Sequence, residues 1–172
     1  SGIVVELDID KDFKKYEKFG PLRGLEFQKD LEKIAFLAGG RKQTAPAQRL
    51  VDFVDGKIST NLNDTSYQPG LKSAPLHSLL PKIIGSRLRK GFASFGSKMH
   101  GYYTNEANIV GVESRTSSPV NIPRKENLEH TEIEGLFPCG EGGGYAGGIV
   151  SAALVGERCA EAALSYMWEN LI

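Results

Sequence analysis

The residues of this sequence that can do chemistry at close range are concentrated in one glycine run. Gly140-Glu141-Gly142-Gly143-Gly144-Tyr145-Ala146-Gly147-Gly148-Ile149 lies near the C-terminus, and eight of the 20 glycines fall between Gly135 and Gly156. Glycine at that density signals special backbone angles or close approach of another group. The run follows a short apolar segment and precedes a helical pattern that starts at Ile149. A glycine loop that feeds a helix N-terminus offers free backbone N–H groups and the positive end of the helix dipole. Phosphate, a carboxylate or the carbonyl edge of a heteroaromatic ring binds there. Gly142, Gly144 and Gly147 match Gly-x-Gly-x-x-Gly, but the dinucleotide fingerprint also needs a second strand with an acidic residue at its end. The pattern beyond Ile149 stays helical, so the match is weak on its own.

Other residues carry possible chemistry. Glu141 sits between Gly140 and Gly142, where a carboxylate either binds ligand hydroxyls or is merely solvated. Tyr145 either stacks on a ring or covers the core. Arg115, Thr116 and Ser117 form a donor-rich run: a guanidinium pairs with carboxylate or phosphate in bidentate fashion, and the hydroxyls bind ligand oxygens or close a turn before Pro119. Cys139, just before the Gly-Glu pair, is a redox candidate or a small packing residue, and Cys159 reads as packing. Gln48 and Arg49 are candidates to reach an active site. His77, His100 and His130 have no second ligand at metal spacing, so no zinc site is argued.

The elements that must position these residues alternate in type. Gly2 to Leu7 reads as a strand, and Pro21 opens a helix that Gly39-Gly40 stops. Ala45 to Val54 reads as a short amphipathic segment opened by Pro46. Ile58 to Pro75 is a loop. Leu76 to Phe95 is helical, with Leu79, Leu80, Ile83, Ile84 and Leu88 on one face. Asn108 to Glu113 and Gly135 to Cys139 are strand candidates. In the last helix, Gly148, Ala152, Gly156 and Ala160 form a small-residue stripe. Its later members suggest tight packing on a sheet, and its N-terminal end suggests ligand contact.

Composition bounds the partners. The chain has 172 residues, 40% hydrophobic and 24% charged, an ordinary balance for a globular chain. Lys+Arg and Asp+Glu are both 21, so the net charge is zero, which argues against nucleic acid as a main partner. No stretch approaches the roughly 20 apolar residues of a bilayer span, so no membrane partner is expected. Two cysteines make no disulfide framework, and a reducing, cytoplasmic location is expected. The sequence opens on Ser1 and runs straight into a strand pattern, as expected of a piece of a longer polypeptide.

Thr131 to Ala163 resembles the C-terminal cofactor segment of flavoproteins with two dinucleotide-binding domains. More closely, the chain resembles a bacterial family of FAD-dependent dehydrogenases. The resemblance is carried by Gly-Leu-Phe-Pro-Cys-Gly-Glu-Gly (135–142), Tyr-Ala-Gly-Gly-Ile-Val-Ser-Ala-Ala (145–153), Val-Glu-Ser-Arg-Thr-Ser-Ser-Pro-Val (112–120) and Ala-Pro-Ala-Gln-Arg (45–49). It implies an α+β chain: a substrate-side domain over 1–107, then 108–172 as the closing strand and C-terminal helix of a Rossmann-like FAD domain. It implies that Gly140, Glu141, Gly142, Gly144, Tyr145, Ala146, Gly147, Gly148 and Ile149, with Arg115, Thr116 and Ser117, contact FAD. Glu141 stands where the superfamily commonly has Asp, whose carboxylate binds the ribityl or pyrophosphate region. It also implies a partner, an N-terminal FAD-binding half that carries its own Gly-x-Gly-x-x-Gly unit. FAD binding and oxidoreductase activity on a small molecule are therefore expected of the intact parent rather than of this chain alone. A non-catalytic substrate-binding or interaction domain, or a stand-alone nucleotide-binding domain, is the alternative.

Overall fold

The computed structural model describes residues 2–115 and 118–170. Its class is α+β. The helices are α1 (Ile9–Asp12), α2 (Arg23–Ala38), α3 (Leu50–Asp55), α4 (Leu76–Leu79), α5 (Lys82–Lys98) and α6 (Ile149–Asn170), and a 3-10 segment runs over Lys14–Leu22. The strands are β1 (Ala45–Arg49), β2 (Leu71–Ser73) and β3 (Asn108–Val110). The chain divides into two units, Ser1–Lys15 with Phe27–Ser114, and Tyr16–Glu26 with Arg115–Ile172.

The first unit is built on a sheet of order β2-β1-β3, with β1 parallel to β2 and antiparallel to β3. The sequence pattern suggested one amphipathic segment over Ala45 to Val54; the structure divides it into a strand and a helix. Pro46 does not open a helix. It serves the sheet through its carbonyl, which accepts from Gly111 N at 3.0 Å, while Ala45 N and Ala47 O make bonds to Gly70 O and Ala74 N. Arg49 stays extended, and α3 starts at Leu50. It ends at Gly56, whose φ of 72° is the left-handed angle that lets Lys57 N return to Asp52 O at 2.8 Å.

Burial in this unit follows the apolar positions of these elements. Phe53 and Phe92 meet edge to face at 6.0 Å, and Leu50, Ala47, Leu76 and Leu80 are buried with them. The helix expected over Leu76 to Phe95 is two helices. Leu80 is extended because it precedes Pro81, whose ring disfavours helical angles in the residue before it. The strand expected at Gly2 to Leu7 finds no ladder partner among the described residues, and β3 is shorter than expected.

Gln48 is committed to the interior of the first unit. It is 0% exposed, and its amide is fully used. Its Nε2 lies 2.8 Å from His77 Nδ1 and also donates to Lys57 O, while its Oε1 accepts from His77 N at 3.2 Å. A buried amide must be satisfied in this way or it costs stability, so Gln48 ties β1 to α4 and to the turn after α3.

The second unit is dominated by α6. The strand expected at Gly135 to Cys139 is absent: residues 136–139 carry no ladder, and no strand among the described residues lies beside them to pair. The local backbone is held by His130 N donating to Leu136 O at 2.7 Å and by an isolated bridge between Arg124 and His130.

Gln48→Ala leaves Lys57 O and His77 N unpaired in a buried site and is expected to lower unfolding free energy by about 2–4 kcal/mol. Gln43→Ala, at an exposed position, is expected to stay within about 0.5 kcal/mol. Chemical denaturation of the two variants measures the difference.

Candidate functional site

The glycine run folds into a loop stitched to the segment 118–124. Gly144 N donates to Glu141 O and Tyr145 N to Gly140 O, both at 3.0 Å. Ile122 N reaches Gly143 O at 3.1 Å, and Asn121 Nδ2 reaches Gly144 O at 3.2 Å. The glycines then fall into two groups. Gly143 and Gly144 are required by the chain itself. A Cβ on Gly143 would sit 3.0 Å from Cys139 O, and one on Gly144 would sit 2.7 Å from Val120 O. Gly142 and Gly147 are not required by it: they have no left-handed φ, and a Cβ on either meets nothing within 4 Å. Gly148 is nearly as open, with only Ser151 Oγ at 3.8 Å. Gly140 needs glycine for its φ of 69° and is otherwise open.

The open glycines lead into α6, whose first turn lacks a cap. Ala152 N to Gly148 O, at 2.9 Å, is the first bond of the helix, which leaves the amides of Ile149, Val150 and Ser151 without an intrahelical acceptor. Ser151 Oγ is turned to donate to Gly148 O at 2.9 Å, and no described side chain accepts from these amides. Ile149 is 92% exposed. Glu141 is exposed, and its carboxylate makes no hydrogen bond or ion pair with a described residue. Ala146 is half-buried.

Tyr145 is engaged within the unit. Its hydroxyl donates to Ile122 O at 2.7 Å with Asn121 Oδ1 at 3.1 Å, and the Arg124 guanidinium lies 3.5 Å from the ring centroid. Sequence reasoning missed Arg124. The same guanidinium donates from Nη1 to Pro138 O at 2.8 Å and approaches Cys159 Sγ at 3.5 Å. One half-buried cation therefore contacts the loop, the segment before it and the middle of α6. The only sequence signal was an arginine after Pro123 in a charged stretch, which looks like a solvated residue.

Glu129 is a second brace. It is buried; Oε1 accepts from Gly135 N at 2.9 Å and Oε2 pairs with Lys125 Nζ at 3.1 Å. The hydrogen bond from the Gly135 amide first, and the one from Lys125 after it, hold its carboxyl below the usual carboxylate range. Burial pushes the Cys159 thiol up, against a smaller opposing effect from Arg124.

Arg115 is exposed, and Thr116 and Ser117 lie outside the described residues. Cys139 is a free, exposed thiol. In the first unit, Arg49 Nε is buried and has no hydrogen-bond partner, the one such side-chain atom among the described residues. No group of three or more His, Cys, Asp or Glu among those residues is placed to hold a metal. No described helix is long and apolar enough to cross a membrane.

A family described as "FAD-dependent protein, C-terminal domain-like" matches residues 1–116. An uncharacterized protein of Clostridium beijerinckii is 40% identical over 163 residues, which is 94% of this chain and 30% of that protein. The chain thus spans under a third of the length of that relative.

Arg124→Ala removes a charged hydrogen bond and a cation–π contact together, and a loss of about 2–4 kcal/mol is expected. Arg124→Lys is expected to recover only part of it, since an ammonium lacks the planar fork. Thermal unfolding followed by near-UV circular dichroism checks both. Glu129 has a lowered folded pKa, so its contribution is fully present above the usual carboxylate range and disappears as pH falls through the lowered value. Glu129→Gln is expected to be less stable than wild type at neutral pH, with the difference shrinking as acid is added. Denaturation midpoints across an acid pH series measure it.

Proposed function

The chain belongs to the FAD-dependent protein, C-terminal domain-like family, and from that premise we propose that it is the flavin-closing, substrate-side part of an FAD-dependent oxidoreductase. The observation that carries this reading is the uncapped start of α6 behind glycines that the chain's own packing does not require. Gly142, Gly147 and Gly148 leave space where side chains would stand, and a flat ligand needs such space to approach backbone. The residues present therefore fit a flavin. Gly140, Gly142, Gly144, Ala146, Gly147 and Gly148 would line its approach, and Ile149 would hold it through its amide.

When bound, the flavin supplies hydride and electron transfer between a reduced small molecule and an acceptor. The chain's own residues orient and polarise. The amides of Ile149, Val150 and Ser151 donate to an electron-rich ring edge, and the α6 dipole stabilises negative charge there. Glu141 has a carboxylate free to accept from cofactor hydroxyls. Tyr145 holds the loop in shape through its hydroxyl and the ring face covered by Arg124, and its other face remains a candidate to stack on the cofactor. Arg115, with Thr116 and Ser117, remains a candidate for cofactor oxygens. Residues 1–107 would serve the substrate side, where the unpartnered Arg49 Nε suits an anionic group. The zero net charge fits a small-molecule substrate in place of nucleic acid, and two unpaired cysteines fit the cytoplasm.

Gly147→Val tests the reading in the full-length protein. A Cβ at this position meets no described residue within 4 Å, so thermal stability measured without cofactor is expected to hold while FAD affinity, read by flavin fluorescence titration, falls at least tenfold. Unchanged affinity contradicts flavin contact at Gly147. A full-length wild-type protein that binds no flavin favours a substrate-binding or interaction module.

A further inference from the structure

We propose that Cys139 and Cys159 form a modification site, a thiol pair that low-molecular-weight disulfides oxidise reversibly to an intramolecular bridge. Both cysteines are free; Cys139 is exposed and Cys159 is buried. They meet at one point of the second unit. The Cys159 thiol donates to Pro138 O at 3.8 Å, and that carbonyl belongs to the peptide bond leading into Cys139. The Cys139 and Cys159 thiols are in hydrogen-bonding contact with each other. Arg124 Nη1 closes the cluster, 2.8 Å from Pro138 O and 3.5 Å from Cys159 Sγ. Burial and packing alone account for a cysteine such as Cys159. They do not account for a solvent-exposed thiol set against it. A bridge forms without backbone movement only where the two side chains point at each other, and thiols in mutual contact do so. Cys139 ends the segment before the glycine loop and Cys159 lies midway along α6, so a bridge closes a covalent ring around the loop and the first half of the helix.

The difference in exposure sets the order of events. Exchange begins when a thiolate attacks a disulfide sulfur, and of the two thiols Cys139 is the one that solvent reaches. Cys139 gives its proton to water and attacks one sulfur of glutathione disulfide. The reagent's S–S bond breaks, one glutathione thiolate leaves, and a mixed disulfide stands at Cys139. Cys159 then attacks the Cys139 sulfur. The bond to glutathione breaks, the second glutathione leaves as a thiolate, and the proton of Cys159 passes to it. The two cysteines are oxidised by two electrons, and glutathione disulfide is reduced to two thiols. Burial disfavours a Cys159 thiolate, and the Arg124 guanidinium beside its Sγ opposes part of that effect. Burial also keeps outside reagents from Cys159, which makes it the resolving partner. A bridge with one exposed sulfur is of the labile, regulatory kind rather than the structural kind. It needs neither flavin nor substrate, and it fixes the rear of the glycine loop to α6.

The test incubates the full-length protein with glutathione disulfide, blocks the remaining thiols and maps the monomer band of a non-reducing gel by mass spectrometry. Trypsin cuts after Arg158, between the two cysteines, so a bridge joins two peptides. The wild type is expected to yield the Cys139–Cys159 linked pair, lighter by two hydrogens than the separate peptides, and dithiothreitol is expected to release it. Cys159→Ser is expected to stop at a persistent glutathione adduct on Cys139, with Cys159→Ala as the substitute if serine fails to fold. Cys139→Ser is expected to leave Cys159 unmodified. A persistent adduct on Cys139 in the wild type overturns the proposal, because Cys159 then does not resolve it. Labelling of Cys159 in Cys139→Ser at the wild-type rate also overturns it. So does a wild-type protein in which neither thiol reacts, or in which either cysteine bridges to a different cysteine or to a second molecule.

Discussion

The second unit is organised around the Arg124 guanidinium. A half-buried cation is costly unless every face of it is used, and here the faces are divided among three pieces of chain. The Tyr145 ring takes the flat side at 3.5 Å, Pro138 O takes an N–H at 2.8 Å, and Cys159 Sγ lies 3.5 Å from the same nitrogen. Residues 135–139 have no sheet partner, so a side chain supplies the bond that a ladder otherwise would. Tyr145, pinned from one side by the cation and from its hydroxyl by Ile122 O, fixes the loop in turn. The direction of α6 and the shape of the glycine loop are thereby coupled through one residue.

With the loop held from behind, its front is left to glycine. Gly143 and Gly144 lie against Cys139, Val120 and Asn121 and answer to packing. A Cβ on Gly142 or Gly147 meets no described residue within 4 Å, and one on Gly148 meets only Ser151 Oγ. A single glycine-rich run thus contains two separate requirements, one internal and one directed outward. The outward one meets the bare amides of Ile149, Val150 and Ser151, and the exposed face of the same helix continues that side of the molecule.

Much of this was legible from local signals. The helix from Ile149 was marked by its apolar run after Gly147-Gly148, α2 by the stop at Gly39-Gly40, and the glycine loop by its composition. The α+β class and the family followed from motifs. Four things were hidden because they depend on contacts distant in sequence. Gly135 to Cys139 has strand composition, but a strand needs a neighbour, and none of the described residues pairs with it. Pro46 suggested the opening of one amphipathic segment, yet the ladder with Gly111 and the angles proline allows made it a strand residue. Gln48, a candidate to reach an active site, is a buried strut between β1, His77 and Lys57. Arg124 left almost no trace, since its value lies in Pro138, Tyr145 and Cys159, which are 14, 21 and 35 residues away.

The central claim is that the first-turn amides of α6 face the flavin. Residue-resolved hydrogen exchange on the full-length protein, with FAD and after FAD has been stripped, addresses it directly. Exchange at Ile149, Val150 and Ser151 is expected to slow at least tenfold when FAD is bound, with the mid-helix amides around Cys159 much less affected. Equal rates at these three amides with and without FAD would contradict it.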